Sequence, residues 1–236
     1  NQWLTTRSRW VSDAVFMRGN MPVLVEPGLN WWCGIDLALT TDITAIVFVS
    51  SKDSRGKHNI LPFFFVPEEN AKERARRDGV PYLDWIRDGF ISTTPGEQTD
   101  YDYIEAFVIQ QMNELKASQI FYDRYKATQM TIEFKNAGFE CIPFAQQPVY
   151  FNAPLSYLEK GFAGGIFAHG GNPVLRWMMQ NVSIYADGNG NIKVNKGGSN
   201  ERVDGVVALG MATAGILNSN IQESVYNTED RGFLML

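Results

Sequence analysis

Three aspartates stand at the borders of apolar segments, in positions that suggest a shared chemical task. Asp36 lies in the string GIDL, Asp123 ends the string FYD, and Asp204 lies in the string VDGVV. A partly buried carboxylate is costly unless it is paired or bound to a cation, and carboxylates that converge repel one another. If the three side chains meet in the fold, they require a cation between them.

The cations best suited to such a cluster are Mg²⁺ and Mn²⁺. Both take oxygen ligands from a few carboxylates and leave room for water and a substrate phosphate. Two such ions, about 3.5 to 4 Å apart, can activate a water and stabilise the leaving oxygen of a displacement at phosphorus. The aspartates therefore predict phosphodiester hydrolysis with two bound ions. For each aspartate alone a structural role is the alternative, above all for Asp204, because the helix dipole favours an acid in a first helical turn.

The apolar pattern predicts an α/β fold with a mixed central sheet. Three runs rich in Ile, Val and Phe lie between residues 31 and 66, separated by turn residues, which predicts three antiparallel strands. Helix and strand patterns then alternate from residue 101 to residue 145, which favours parallel pairing. Gly188-Asn189-Gly190 predicts a β-hairpin near the C-terminus. The predicted helices are 80–89, 101–117, 127–137, 154–162, 173–181 and 203–217.

Length, charge and cysteine use exclude several classes of protein. The 236 residues are 44% hydrophobic, and no uninterrupted apolar run reaches the roughly 18 residues of a membrane span. The net charge of −5 argues against a protein that coats nucleic acid through bulk electrostatics, although an enzyme of DNA can rely on local basic loops. Cys33 and Cys141 form no ligand pair and are predicted to be buried thiols. We expect a soluble protein without membrane contact.

Several strings along the chain resemble, in the same order, the C-terminal nuclease domain of terminase large subunits from lambda-like tailed phages. They are GIDLALTTDITA, LPFFFVPEE, VPYLDWIRDGFISTTPGEQTDYDYI, FYDRYKATQM, HGGNPVLRWMMQNV and NIKVNK followed by RVDGVVALGMA. The resemblance covers residues 31 to 218. It implies a ribonuclease H-like fold, in which three antiparallel strands and then parallel strands are flanked by helices. It also implies an endonuclease that cuts concatemeric double-stranded viral DNA during genome packaging.

The same resemblance assigns the site residues. It gives the catalytic and metal-binding roles to Asp36, Asp123 and Asp204, each within its own matched string, with Mg²⁺ or Mn²⁺ as the ions. Asp42, in TTDITA, matches a further acidic position and is expected to be an accessory ligand or a group that orients one. A solvated turn aspartate is the alternative for Asp42.

Basic residues next to these acids are candidates for contact with the DNA backbone. One group surrounds a glycine-rich loop just before Asp204, and another directly follows Asp123. Phosphate contacts position a duplex without reading its sequence. The alternatives are solvated charges or partners of the acids. The candidates are Lys193, Lys196, Arg202, Arg124 and Lys126.

Among the other candidates, His169 in HGGNP is tempting as a general base. A histidine beside a Gly-Gly turn is more often structural, so a structural role is the main expectation. Arg176, on the helix that follows, is likewise expected to be structural.

The resemblance also predicts how the chain is organised and what it binds. Residues 1–30 resemble the arm that joins the family's ATPase to its nuclease, residues 31–220 form the nuclease domain, and residues 221–236 form a tail. The phosphate-binding string G-x-x-x-x-G-K-[ST] is absent from the sequence, so we expect the ATPase domain to lie elsewhere in a longer polypeptide. The implied partners are double-stranded DNA, that ATPase domain, the portal protein and the small terminase subunit. The implied location is the cytoplasm of the infected bacterial host.

Three other functions fit parts of the same pattern. A resolvase or transposase would share the fold and the acids, and a docking module for the portal or small terminase subunit would have an inactive site. An actin-like ATPase or sugar kinase would explain GIDLALTTDITA alone, but such proteins carry a glycine where this chain has Ala38.

Overall fold

A seven-stranded mixed sheet crosses the part of the chain that the computed structural model describes, residues 10–37, 43–69, 71–123, 128–199 and 202–229. The strands are β1 (Trp31–Asp36), β2 (Thr44–Lys52), β3 (His58–Pro67), β4 (Ser92–Thr94), β5 (Gln119–Tyr122), β6 (Glu140–Pro143) and β7 (Phe167–Ala168). Their order is β4-β3-β2-β1-β5-β6, and β7 pairs with β3. β1, β2 and β3 are antiparallel, whereas β5 is parallel to β1 and β6 to β5. The predicted mixed sheet is confirmed.

Helices cover both faces of this sheet. One cluster of buried side chains joins the sheet to α6 (Pro148–Ala163), α7 (Pro173–Asn181) and α8 (Asp204–Glu229). A second cluster joins it to α4 (Tyr101–Glu114) and α5 (Thr128–Asn136). A separate β-hairpin, predicted from Gly188-Asn189-Gly190, is formed by β8 (Ile184–Ala186) and β9 (Ile192–Val194). The helices are α1 (Asp13–Phe16), α2 (Ala71–Asp78), α3 (Tyr82–Arg87), α4 (Tyr101–Glu114), α5 (Thr128–Asn136), α6 (Pro148–Ala163), α7 (Pro173–Asn181) and α8 (Asp204–Glu229).

β1 turns alternate residues to the two faces, as a strand buried on both sides must. Cys33 and Ile35 belong to the cluster under α4 and α5, whereas Trp32 belongs to the cluster under α8. Gly34 and Asp36 follow Trp32 at steps of two, so they face α8. The side chain of Asp36 therefore points toward the helix that begins with Asp204.

Close contact between β1 and α8 brings these two aspartates to the same level. A Cβ at Gly34 would overlap the backbone of Ala208, so the helix lies directly on the strand there. Asp204 lies one helical turn before Ala208, a rise of about 6 Å. Asp36 lies two strand residues beyond Gly34, also about 6 to 7 Å. The two steps match, which places the start of α8 beside the end of β1.

The helix predicted over residues 154–162 begins six residues earlier than expected. Proline is common in the first helical turn, which made Pro154 a natural start. In the structure Pro148 occupies the first turn, and Pro154 is buried within α6. The short β4, the two-residue β7 and the charged helix α2 were not predicted as elements.

The segment before the sheet packs on the rest of the described structure. Arg176 forms a bidentate contact of 2.7 and 2.6 Å with Asp13, and Arg55 donates to the carbonyl of Pro22 at 2.9 Å. Residues 10–30 are thus held at several points along their length. Across the described ranges, no helix is both long and apolar enough to cross a membrane.

Candidate functional site

Asp36 and Asp123 leave the sheet at the same edge. In the parallel pairing of β1 with β5, Ile35 lies opposite Tyr122. Asp36 is the next and last residue of β1, and Asp123 directly follows β5. Neighbouring strands are about 4.8 Å apart, so the backbones that carry the two carboxylates lie close together. Asp36 is completely buried, and Asp123 is partly exposed.

Asp36 and Asp204 are joined by a cation supplied by the chain itself. The ammonium group of Lys196 donates a hydrogen bond to Oδ2 of Asp36 and another, of 3.3 Å, to Oδ1 of Asp204. Asp204 is only 5% exposed. Burial by itself would lower the pKa of Lys196, but the charges of the two aspartates and their hydrogen bonds raise that pKa above the ordinary lysine value. The lysine is therefore held in its charged form.

The β-hairpin and the turn that follows it bring Lys196 to this position. Lys196 begins a short 3-10 turn in which the side chain of Asn195 accepts a hydrogen bond from the Gly198 amide at 3.0 Å. The amide of Asn195 donates to the carbonyl of Ser183 at 2.9 Å, which ties the turn to the start of the hairpin. The side chain of Asn152, on α6, accepts from the amide of Ile192 at 3.2 Å. These hydrogen bonds fix the backbone that carries Lys196.

Asp123 is oriented by a residue that the sequence analysis missed. Nε2 of Gln146 donates to Oδ2 of Asp123 at 3.0 Å. Gln146 follows β6, the strand beside β5, and the Phe144 amide extends the pairing of the two strands by donating to the carbonyl of Tyr122 at 2.8 Å. Polar residues just beyond the end of a neighbouring parallel strand were the available signal, because such strand ends meet at one edge of a sheet.

The structure places only part of the remaining predicted site. Lys193 lies on β9 with its ammonium 6.0 Å from the centre of the Tyr185 ring, and Arg202 is partly exposed two residues before Asp204. Asp42, Arg124 and Lys126 lie outside the described residues.

His169 lies at the other end of the sheet from the aspartates. It follows β7, which pairs with the first residues of β3, beside the beginning of β1 rather than its end. Nε2 of His169 donates to the carbonyl of Phe16 at 2.9 Å, Nδ1 accepts from the Gly171 amide at 3.1 Å, and the ring stacks on Phe16 at 3.9 Å. The expected structural role agrees with these contacts.

The side chains that could bind a cation at this edge of the sheet are carboxylates. Within the described ranges, no three acidic, histidine or cysteine side chains gather closely enough to enclose a metal ion. Asp36 and Asp204 nevertheless share one cation, the ammonium of Lys196, and Asp123 stands on the adjacent strand. Carboxylate oxygens without sulfur or imidazole suit hard divalent ions.

Comparison with known proteins identifies the family. The family model described as "Terminase large subunit, endonuclease domain" matches residues 1–220. The chain belongs to this family. The predicted resemblance and the predicted enzyme class, an endonuclease, are confirmed for this terminase domain.

Relatives of this terminase domain agree in sequence and in fold. The terminase large subunit of Enterobacteria phage HK97 is 29% identical over 233 residues, which are 98% of this chain and 45% of that protein. The chain thus spans less than half of that relative. The crystal structure of the HK97 bacteriophage large terminase has a TM-score of 0.81 at 28% identity, over 87% of this chain and 43% of that one. The large terminase nuclease from thermophilic phage G20c, in a structure with bound magnesium, has a TM-score of 0.52 at 13% identity, over 85% and 96%. The predicted ribonuclease H-like fold is confirmed.

Proposed function

We propose that this terminase domain cuts concatemeric double-stranded viral DNA during genome packaging, by phosphodiester hydrolysis with two divalent metal ions. The observation that carries the proposal is the ammonium group of Lys196, which Asp36 and Asp204 share. Asp123 lies at the same edge of the sheet. Three carboxylates from two strands and a helix can then bind ions from different sides.

The donor set fits Mg²⁺ or Mn²⁺. A positive charge, the ammonium of Lys196, already lies between Asp36 and Asp204, which supports a shared divalent ion at these carboxylates. The large terminase nuclease of phage G20c, which has the same fold, has a crystal structure with bound magnesium. When bound, two such ions supply an activated water and stabilise the leaving oxygen at phosphorus. Asp36, Asp123 and Asp204 would hold the ions, and Asp42 would be an accessory ligand.

Local basic residues would hold the DNA despite the overall charge of −5. Lys193 and Arg202 lie on the segment that leads into Asp204, and Lys196 lies between them. Arg124 and Lys126 would act from the segment after Asp123. Base readout needs an element dedicated to a groove, and these contacts are to phosphates, so we expect little sequence preference.

The rest of the packaging machinery would supply what this domain lacks. We infer that residues 1–30 join residues 31–220, the nuclease domain, to an ATPase domain of the same polypeptide. We also infer that residues 221–236 form a tail, although its first nine residues continue α8. The portal protein and the small terminase subunit would direct the cut, in the cytoplasm of the infected bacterial host.

A plasmid-cleavage assay tests the proposal. The chain should nick and linearise plasmid DNA with Mg²⁺ or Mn²⁺, and a chelator should stop it. Asp36→Asn, Asp123→Asn and Asp204→Asn should each abolish cleavage with the fold intact by circular dichroism, because each removes a ligand charge while keeping the size of the side chain. Asp84→Asn, on an exposed ion pair with Arg87, is the matched control and should cut normally. Cleavage that persists with chelator, or in any of the three site variants, contradicts the assigned mechanism.

A further inference from the structure

Lys196 places its ammonium group between two of the proposed metal ligands, Asp36 and Asp204. Its ammonium contacts one oxygen of Asp36 and one of Asp204, two residues that are 160 and 8 positions away in the sequence. We propose that Lys196 is a resident cation that balances these carboxylates before metal binds, and that metal loading must expel it. The proposal rests on the proposed function, since it takes Asp36 and Asp204 as metal ligands.

The ammonium group of Lys196 and a divalent metal ion cannot both lie between Asp36 and Asp204. The two carboxylates carry two negative charges, which one divalent ion balances completely. A lysine that stayed would leave an excess positive charge in a site where Asp36 is fully buried. The ammonium and the metal ion would then repel each other strongly, because little water is present to screen them. A metal ion between Asp36 and Asp204 would draw on the same two carboxylates that Lys196 contacts. Metal and lysine therefore compete for the same carboxylates.

The chain around Lys196 allows it to leave without unfolding the domain. Its side chain is 34% exposed, so a path to solvent exists. A Cβ at Gly197, the next residue, would meet no atom within 4 Å, so the space beside the turn is open. Its four-carbon stem has several rotatable bonds. Movement of the side chain alone is sufficient, while the hydrogen bonds of Asn152 and Ser183 hold the hairpin and its turn in place.

Expulsion would place a free ammonium at the rim of the metal site. A scissile phosphate must approach the same rim to reach the metal ions. The role in DNA binding that the sequence predicts for Lys196 would then begin only after metal is loaded. Lys196 thereby couples metal loading to DNA binding, because its one ammonium group cannot contact the two carboxylates and a phosphate at the same time.

The first test follows the lysine itself in the unaltered 236-residue chain. An amine-acylating reagent is applied with and without saturating Mg²⁺, and labelling is measured at each lysine by mass spectrometry. Without metal, Lys196 should react more slowly than Lys193, which lies on the same hairpin and contacts neither aspartate in the described structure. Mg²⁺ should speed labelling of Lys196 severalfold and leave Lys193 unchanged. Labelling of Lys196 that is unaffected or slowed by Mg²⁺ overturns the proposal.

The second test measures competition through metal affinity, which needs no DNA and no cleavage. Lys196→Met removes the ammonium and keeps much of the stem, so Mn²⁺ should bind about tenfold or more tightly by calorimetry. Lys196→Arg keeps a cation and should gain less, and Lys160→Met, an exposed position on α6, is the control that should match the original chain. If the methionine variant does not fold without metal, recovery of its fold by Mn²⁺ supports the same conclusion.

The outcomes separate this inference from the proposed function. Equal Mn²⁺ affinity in the original chain and in Lys196→Met overturns the competition and leaves the metal site standing. Failure of every form to bind Mn²⁺ overturns both. Loss of binding in Asp36→Asn together with a gain in Lys196→Met supports both.

Discussion

At the scale of single residues, the carboxylate of Asp123 depends on an amide from the next strand. Gln146 donates to Oδ2 at 3.0 Å, which directs the other oxygen of the carboxylate away from the amide. A group that fixes the direction of a metal ligand contributes to metal affinity although it never touches the metal. Gln146 is therefore a positioning residue for Asp123.

Replacing Gln146 by Ala should weaken metal binding by roughly 10- to 100-fold without loss of the fold. The reason is that the Asp123 carboxylate loses the hydrogen bond from Gln146, so metal binding must itself supply that part of its orientation. Mn²⁺ titration by calorimetry measures the effect, and raising Mn²⁺ should recover most of the cleavage rate. Gln147→Ala is the adjacent control, because Gln147 is exposed and makes no side-chain capping bond to α6. Equal affinity in the two variants would show that Gln146 does not position the ligand.

At the scale of elements, the distance between β1 and α8 sets the site. The helix backbone touches the strand at Gly34, so any side chain there must push the two apart. Because Asp36 belongs to the strand and Asp204 to the helix, their separation follows directly from this contact.

Gly34→Ala should lower the free energy of unfolding by about 1 to 3 kcal/mol, the usual cost of extra atoms in a packed core. It should also weaken Mn²⁺ binding, since α8 carries Asp204 away from Asp36. Gly188→Ala, in the hairpin turn, adds a Cβ that meets no atom within 4 Å and should change neither quantity. Urea unfolding and Mn²⁺ titration of both variants provide the measurements. A stable Gly34→Ala variant with normal affinity would contradict the contact.

Elements and site residues with a local signal were predicted from the sequence, whereas those that depend on distant contacts were not. β1, β2, β3 and the hairpin carry their own turn residues, and α7 was predicted over the residues it occupies. β4 and β7 are three and two residues long and exist only by pairing with β3. The three aspartates stand out because apolar residues surround them. The position of Lys196 between two of them requires a contact across 160 residues, which no local pattern contains.

At the scale of the whole molecule, both histidines of the chain are buried and lie far from the candidate site. His58 is 4% exposed and donates from Nδ1 to the carbonyl of Ser50 at 2.7 Å, while Nε2 can accept from the Tyr157 hydroxyl at 2.8 Å. His169 accepts from the amide of Gly171 through Nδ1. A proton on Nδ1 would break that bond, so the fold favours neutral His169.

Burial is the main cause that lowers the pKa of both histidines, and the hydrogen bonds to the carbonyls of Ser50 and Phe16 oppose it only in part. A nearby carboxylate, Asp53, behaves differently. Burial would raise its pKa, but hydrogen bonds led by that from Arg55 lower the pKa to about 2. Asp53 therefore stabilises the fold above the unfolded aspartate pKa of about 3.9, and that contribution is lost as the pH falls from there toward 2.

Stability between pH 7.5 and 5.5 should therefore depend on the histidines and not on Asp53. Each histidine has a lower pKa folded than unfolded, so the unfolded chain takes up protons first as the pH falls through about 6.5, and stability drops from there until the folded pKa is reached. From pH 6.5 to 5.5 the loss can be at most about 1.4 kcal/mol for each histidine. Urea unfolding at a series of pH values measures this loss.

His58→Gln and His169→Gln should each reduce the slope of the free energy of unfolding against pH. Because the chain has only two histidines, the free energy of unfolding of the double variant should hardly change over this interval. A double variant with the slope of the original chain would mean that other groups cause the acid sensitivity.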